Sequence, residues 1–322
     1  MPTPPRLSLL DRSRTRVGEP DGIALHRTVA RARRCEELGY HRFWVAEHHG
    51  VPGVASGSPA VLLAAIGAAT ARIRIGSGGV MLPNHAPLVV AEQFLVLAGL
   101  HPGRVDLGVG RSLGFTAAVR RALRADSEAA ARFAEDLTEL RAYLSGDGPI
   151  TARPAVDPPP PVFVLAMTRG LEIAAAAGLP AVVGGPALRD IEALQRYRDA
   201  VGPDVPLIVS ADIVIADSRE RARELLLPEA WAMVRSRETG VFAPLEPVET
   251  VLAQSPTARQ RERIEAWLAG TIHGTADEVA EQLHDLLDRT GAEEVMATTS
   301  TYADADRDAA DAALAEVMAR VG

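Results

Sequence analysis

The sequence predicts an α/β chain forming a single (β/α)8 barrel, and three observations carry that expectation. Short apolar, strand-like runs alternate with helix-length stretches along the whole chain. The order helix, glycine, strand recurs at Gly39, Gly178, Gly202 and Gly291. The strand-like runs number eight, and alternation of this kind demands parallel pairing, which eight units close into a barrel. An open doubly wound sheet would place a glycine fingerprint after the first strand, and residues 11–17 (DRSRTRV) contain none.

In chain order, RLSLL at 6–10 reads as the first strand. Leu25, Val29, Ala32, Cys35 and Leu38 then recur at helical spacing, Gly39 ends that helix, and RFWVAEH at 42–48 is the second strand. Ser58 and Pro59 open a helix to Thr70, and IRIGSGGV at 73–80 is the third strand. Pro87 opens a helix to about Leu100, VDLGVG at 105–110 follows, and a charged amphipathic stretch from Ser127 to Leu144 predicts another helix. The proline run at 158–161 makes a stiff connector into PVFVLAM, with no composition shift marking a domain boundary. Helix 170–177, strand 181–184, helix 189–201, strand 207–216 and a helix from Ser218 complete the next units. The proline-punctuated segment 228–272 reads as an irregular insertion before the last helix and strand, within one domain spanning 1–322. Thr275 and Glu278 form a capping box for helix 276–289, and EEVMATTS at 293–300 is the eighth strand.

Composition narrows the function. With 47% hydrophobic and 24% charged residues in 322, the chain belongs with globular proteins. A net charge of −8 has the wrong sign for gathering phosphates, so nucleic acid is not an expected partner. All 34 basic residues are arginine, which excludes a Schiff-base lysine and the lysine-dependent phosphate loop. The single cysteine, Cys35, leaves no internal disulfide and no thiol cluster for a metal. With no apolar run of signal-peptide or membrane-spanning length, a cytoplasmic protein without membrane contact is expected.

Candidate chemistry lies at the strand ends, where a barrel places its active site. Glu47, His48 and His49 close the second strand, read either as site residues or as solvated loop residues. No metal site is expected there, because adjacent strand residues face opposite ways and two neighbouring imidazoles do not easily converge on one ion. The glycine run 76–79 fits either a ligand's close approach or a plain bulge. Arg111, after the fourth strand, suits a phosphate or carboxylate, or a surface ion pair. Met167, Thr168, Arg169 and Gly170 open a helix whose N–H groups could hold an anion, or Thr168 simply caps it. His41, His101 and His273 read as structural or solvated, and so by default does His85, although it lies on the third-strand rim.

Taken together, WVAEHH at 44–49, RIRIGSGGVMLPNHAPLVVAEQF at 72–94 and HPGRVDLGVGR at 101–111 resemble the bacterial luciferase-like flavin monooxygenases, and the likeness continues through GLP at 178–180 and HGTADEV at 273–279. The resemblance implies the same barrel and reduced FMN, or a deazaflavin, at the strand ends. It further implies a homodimer or paired subunit, and a separate flavin reductase, since no nicotinamide site is evident in the sequence. His48 matches the family's active-site histidine and His49 its neighbour. Gly78 and Gly79 fall where relatives carry a cis peptide under the flavin ring, and Arg111 matches an arginine on the flavin phosphate.

The chain departs from the pattern in two places. Met167 stands where a phosphate-binding serine is usual, leaving Thr168 as the hydroxyl and Arg169 as a compensating cation. Val183, Gly184, Gly185 and Pro186 replace a bulkier loop, so no substrate carries over. The expected activity is oxygenation of a small organic substrate by dioxygen through a flavin 4a-hydroperoxide, with His48 as acid or base. The other readings are a deazaflavin-dependent oxidoreductase and a non-catalytic flavin-binding or partner subunit.

Overall fold

The computed structural model describes residues 4–125, 128–167 and 169–321. The strands are β1 (Arg6–Asp11), β2 (Arg42–Val45), β3 (Arg74–Ser77), β4 (Val80–Met81), β5 (Val105–Gly110), β6 (Val162–Ala166), β7 (Ala181–Gly184), β8 (Leu207–Ala211), β9 (Ile213–Ile215), β10 (Ile272–Gly274) and β11 (Glu294–Ala297). The helices are α1 (Gly22–Glu37), α2 (Pro59–Ala69), α3 (Pro87–Leu100), α4 (Ala117–Ala122), α5 (Phe133–Ser145), α6 (Gly170–Ala177), α7 (Ile191–Val201), α8 (Arg219–Thr239), α9 (Val248–Leu252), α10 (Ala258–Leu268), α11 (Ala276–Thr290) and α12 (Asp304–Val321). The strand order is β3-β2-β1-β11-β8-β7-β6-β5-β4, with β3 also pairing β5. That is the order of an eight-stranded parallel barrel in which β3 and β4 are two pieces of one strand.

The chain divides into two compact units, one comprising Met1–His41, Val51–Ala55 and Ile208–Gly322, the other Arg42–Gly50 and Ser56–Leu207. In the first, β11 pairs in parallel with both β1 and β8. Buried Arg31 of α1 ties the end of β1 to α12. It donates to Asp11 at 2.9 Å and to both carboxylate oxygens of Asp311 at 2.7 and 2.8 Å. A fully buried guanidinium is tolerable only when its donors are matched in this way.

The second unit carries β2 to β7, and its packing explains the glycine density. Trp44 is fully buried. A Cβ on Gly76 would stand 2.5 Å from the Trp44 indole nitrogen, and one on Gly108 would stand 2.9 Å from its ring. Any larger residue at either position would have to displace the indole. Phe163, paired with Gly108 across β5 and β6, meets Trp44 edge-on at 5.2 Å. Below the indole, fully buried Asp106 accepts from Arg42 at 2.8 Å, from Arg74 at 2.5 and 3.1 Å, and from Trp44 Nε1 at 3.2 Å.

Several expected elements are corrected. The third strand, expected as 73–80, is broken between Ser77 and Val80 by a cis Gly78–Gly79 peptide. The run 207–216 is broken at Asp212, whose carboxylate is taken by Arg12 at 2.8 Å and Thr298 at 2.8 Å; beyond it β9 pairs with β10, a strand absent from the expectation. Segment 228–272, expected to be irregular, is largely helical. Pro228 sits inside α8, where its missing N–H costs a hydrogen bond, while Leu225, Leu226 and Trp231 bury against Val251 of α9 and Ile264 and Leu268 of α10. Pro256 directly precedes the Thr257 capping box of α10 and so punctuates helices without preventing them. The helix expected from Ser127 begins at Phe133, with Ser127 itself outside the described residues, and α4 was not anticipated. Gly178 and Gly291 end their helices in the left-handed conformation at φ +63°, as the glycine punctuation predicts. Among the described residues no helix is long and apolar enough to cross a membrane.

Because Asp106 is the carboxylate on which two guanidiniums and an indole converge, Asp106→Asn is expected to destabilise the protein by on the order of 3 kcal/mol. Urea denaturation followed by circular dichroism checks this; a change below about 1 kcal/mol would mean the cluster is not structural.

Candidate functional site

Strand pairing sets the site's layout. β2 pairs with β3, β4 with β5, β5 with β6 and β6 with β7, so the residues that follow these strands emerge on neighbouring strand ends. Glu47, His48 and His49 follow β2, Gly78 and Gly79 separate β3 from β4, Arg111 follows β5, and Met167 and Arg169 follow β6. All belong to one compact unit.

Glu47 is the organising group. Its side chain is fully buried; Oε1 receives His49 Nε2 at 2.5 Å and His85 Nε2 at 2.7 Å, and Oε2 accepts the Met81 N–H at 3.0 Å. Burial alone would push this carboxyl up. The hydrogen bonds from His49 and His85, the charge of His85 and the Met81 N–H outweigh it and bring it down to about 2. Glu47 therefore stays ionised and acts as acceptor only. Each neutral imidazole must accordingly carry its proton on Nε2 to satisfy that carboxylate, which leaves Nδ1 as the basic atom. His49 Nδ1 would be 3.8 Å from a Cβ at position 57, and glycine there leaves that space open.

His48 is half-buried, and its position is set by the backbone. Its N–H donates to the Ser56 carbonyl at 2.9 Å, and Ser56 Oγ donates back to Ala46 O at 2.6 Å, closing the loop that follows β2. The glycine bulge serves the same geometry. Gly78 N–H donates to Val45 O at 2.8 Å, and the chain then turns so that Met81 N–H meets Glu47. A Cβ on Gly79 would stand 2.8 Å from Gly108 O, so only glycine permits this approach of β4 to β5.

Arg111 is half-buried and forms no ion pair with any described residue. Arg169 is exposed as the N-cap of α6. Met167 is 59% exposed, and its methyl lies 2.9 Å from where a Gly185 Cβ would stand, so it reaches across the end of β7. Thr168 lies outside the described residues.

Sequence reasoning placed His48, His49, the glycine pair and Arg111 on adjoining strand ends but passed over His85 as structural by default. The carboxylate shared by Glu47, His49 and His85 joins residues 38 positions apart and is a tertiary contact. The only signal was the position of His85 on the third-strand rim. Glu47, His49 and His85 also present three ligand-type atoms within 4.8 Å of one another, a convergence that involves only one of the adjacent pair His48 and His49.

The luciferase-like monooxygenase family matches residues 6–294, and the chain belongs to that family. It is similar to an N-acetyl-S-alkylcysteine monooxygenase of Bacillus subtilis (strain 168), 36% identical over 302 residues and covering 86% of this chain and 87% of that one. Its structure resembles that of apo-MsnO8, with a TM-score of 0.87, 32% identity and 98% of each chain covered. Two more distant structures share the fold. One is the oxygenating constituent of 3,6-diketocamphane monooxygenase in complex with FMN (TM-score 0.73, 15% identity, 99% of this chain and 98% of that one). The other is an F420-dependent secondary alcohol dehydrogenase with an F420–acetone adduct (TM-score 0.69, 16% identity, 99% and 100%). The protein is therefore an oxidoreductase of the luciferase-like monooxygenase family.

Glu47 is ionised when folded, with a value near 2 against an ordinary 4.5, so its contribution to stability is full above about pH 4.5 and is lost as pH falls toward 2. The stability gap between wild type and Glu47→Gln, expected at roughly 2–3 kcal/mol at pH 7, should therefore narrow through that window. Urea titrations at pH 7 and pH 3 measure it, and a gap independent of pH would remove the carboxylate's assigned role.

Proposed function

We propose that the protein is a monooxygenase that uses reduced FMN and dioxygen to oxygenate a small organic substrate. The observation carrying this reading is that the basic dyad of Glu47 and His49, His48, the Gly78–Gly79 bulge, and Arg111 stand on the ends of consecutive neighbouring strands. Arg111 and Arg169 would hold the flavin phosphate, with Met167 beside them. Gly78 and Gly79 would lie against the ring without side chains to obstruct it. The bound flavin would supply the oxygen-activating chemistry. His48 would hold or deliver a proton beside the reacting ring, while Glu47 keeps His49 in one tautomer next to it.

The residues fit such a group in charge and shape. Two arginines without ion pairs to described residues match a phosphate, and the glycine pair offers a flat backbone surface. Retention of Glu47, His48, His49 and Arg111 together weighs against a non-catalytic partner subunit. A separate flavin reductase would supply the reduced cofactor.

Anaerobic titration of the flavin-free protein with reduced FMN, followed by mixing with dioxygen, tests the reading. Saturable binding is expected, with Arg111→Ala weakening it by about tenfold, as loss of a charge-assisted contact would. No binding of FMN but saturable binding of a deazaflavin would transfer the site to the second cofactor, and failure of both would overturn the reading.

The assembly proposed with it is a homodimer formed through α2 and α3. Val61 is 71% exposed and Leu100 63%, with Val89 and Val96 about half exposed on the same pair of helices, and α2 supplies small residues that allow close approach. Val61→Glu is expected to convert the dimer to a folded monomer in light scattering, and an unchanged mass would place the interface elsewhere.

A further inference from the structure

A second polar site lies in the other unit, at the carboxyl ends of β1 and β11. Asp11, the last residue of β1, lines a cavity together with Arg14, Arg16, Arg27, Arg31 and Arg307, beside the hydroxyl of Thr301. The arginines have carboxylate partners, among them Glu229 for Arg14, Asp304 for Arg16, Arg27 and Arg307, and Asp311 for Arg31. Those carboxylates are not part of the cavity wall. The one carboxylate that is, Asp11, is already engaged by Ser13 N–H at 2.7 Å, Thr28 Oγ at 2.8 Å and Arg31 at 2.9 Å.

Donor and acceptor accounting then points one way. Thr301 is 3% exposed and Arg307 9%; the Thr301 hydroxyl and the Arg307 Nε–H are buried without a hydrogen-bond partner among the described residues, and both residues line this cavity. Buried polar groups in native proteins are almost always satisfied, so two orphaned groups on one cavity indicate something that pairs with them there. Arg307 Nε can only donate and a threonine hydroxyl can donate, while Arg14, Arg16, Arg27 and Arg31 line the cavity with further guanidiniums and its one carboxylate, Asp11, is already engaged. A group with several acceptor oxygens and negative charge satisfies that set, and planar guanidiniums suit it best.

We propose that this cavity is a binding site for a small oxyanion, the carboxylate or phosphate group of a metabolite, held by Thr301 and Arg307 within the arginine wall. It is separate from the residues assigned to the flavin and does not depend on that assignment.

Isothermal titration of the full chain with sodium acetate and with sodium phosphate, at constant ionic strength made up with sodium chloride, tests it. Saturable binding is expected for at least one anion, and the tighter of the two identifies the group as carboxylate or phosphate. Thr301→Val keeps the side-chain shape and removes the hydroxyl, and is expected to weaken binding about tenfold. Arg307→Gln serves as the second variant if that protein does not fold, with the same expectation. Absence of saturable binding to folded wild type, or affinity unchanged in the folded variant, would overturn the proposal and leave a cavity filled by water alone.

Discussion

Asp106 is a carboxylate with no access to water, and the strands that bear the candidate site are built around it. Isolated at that depth its charge would be prohibitive. Arg42 of β2 and Arg74 of β3 neutralise it, and the Trp44 indole supplies a further donor. Because Arg42 and Trp44 alternate on β2, Arg74 and Gly76 on β3, and Asp106 and Gly108 on β5, the register that satisfies the carboxylate also seats the indole between the two glycines. A slip of one residue would break the ion cluster and drive a side chain into the tryptophan together. The ends of β2, β3 and β5 are thereby held in one alignment.

A second buried carboxylate, Glu47, works one layer further along the same strands. It spends its acceptor capacity on His49, His85 and the backbone of Met81, so it ties the end of β2 to β4 and sets the protonation pattern of two imidazoles at once. This acid remains ionised throughout the ordinary pH range, so it keeps both imidazole hydrogen bonds as an acceptor. The glycine bulge between β3 and β4 is the backbone's part of this arrangement, since it brings Met81 N–H to the carboxylate.

The other unit shows what an all-arginine chain does with its cations. Arg12 and Arg14 share Glu229 from α8, Arg16 and Arg27 converge on Asp304, and Arg31 bridges Asp11 and Asp311. Planar guanidiniums with several fixed donors can join two or three elements where an ammonium would satisfy one. The alternating arginines of residues 12–16, featureless in the sequence, are thus the joints between the end of β1 and the helices near it.

The sequence by itself determined the alternation of strands and helices, the capping of helices at Thr275 and Gly291, and the placing of His48, His49, Gly78, Gly79 and Arg111 at strand ends. These are local properties, set by periodicity, turn chemistry and short motifs within a few residues. Tertiary structure alone decided the rest. Segment 228–272 is helical because its Trp231, Val251, Ile264 and Leu268 meet one another and Leu225 and Leu226 across α8, α9 and α10, a gain that outweighs the local cost of Pro228 and that no window of sequence reports. The strand at 207–216 divides at Asp212 because the backbone there changes partner from β11 to β10, both distant in the chain. His85 joins the site only through a glutamate 38 residues earlier. Hydrogen bonds and ion pairs to buried carboxylates depend on which side chains the fold brings within about 3 Å, and that distance is fixed only when the strands are in register.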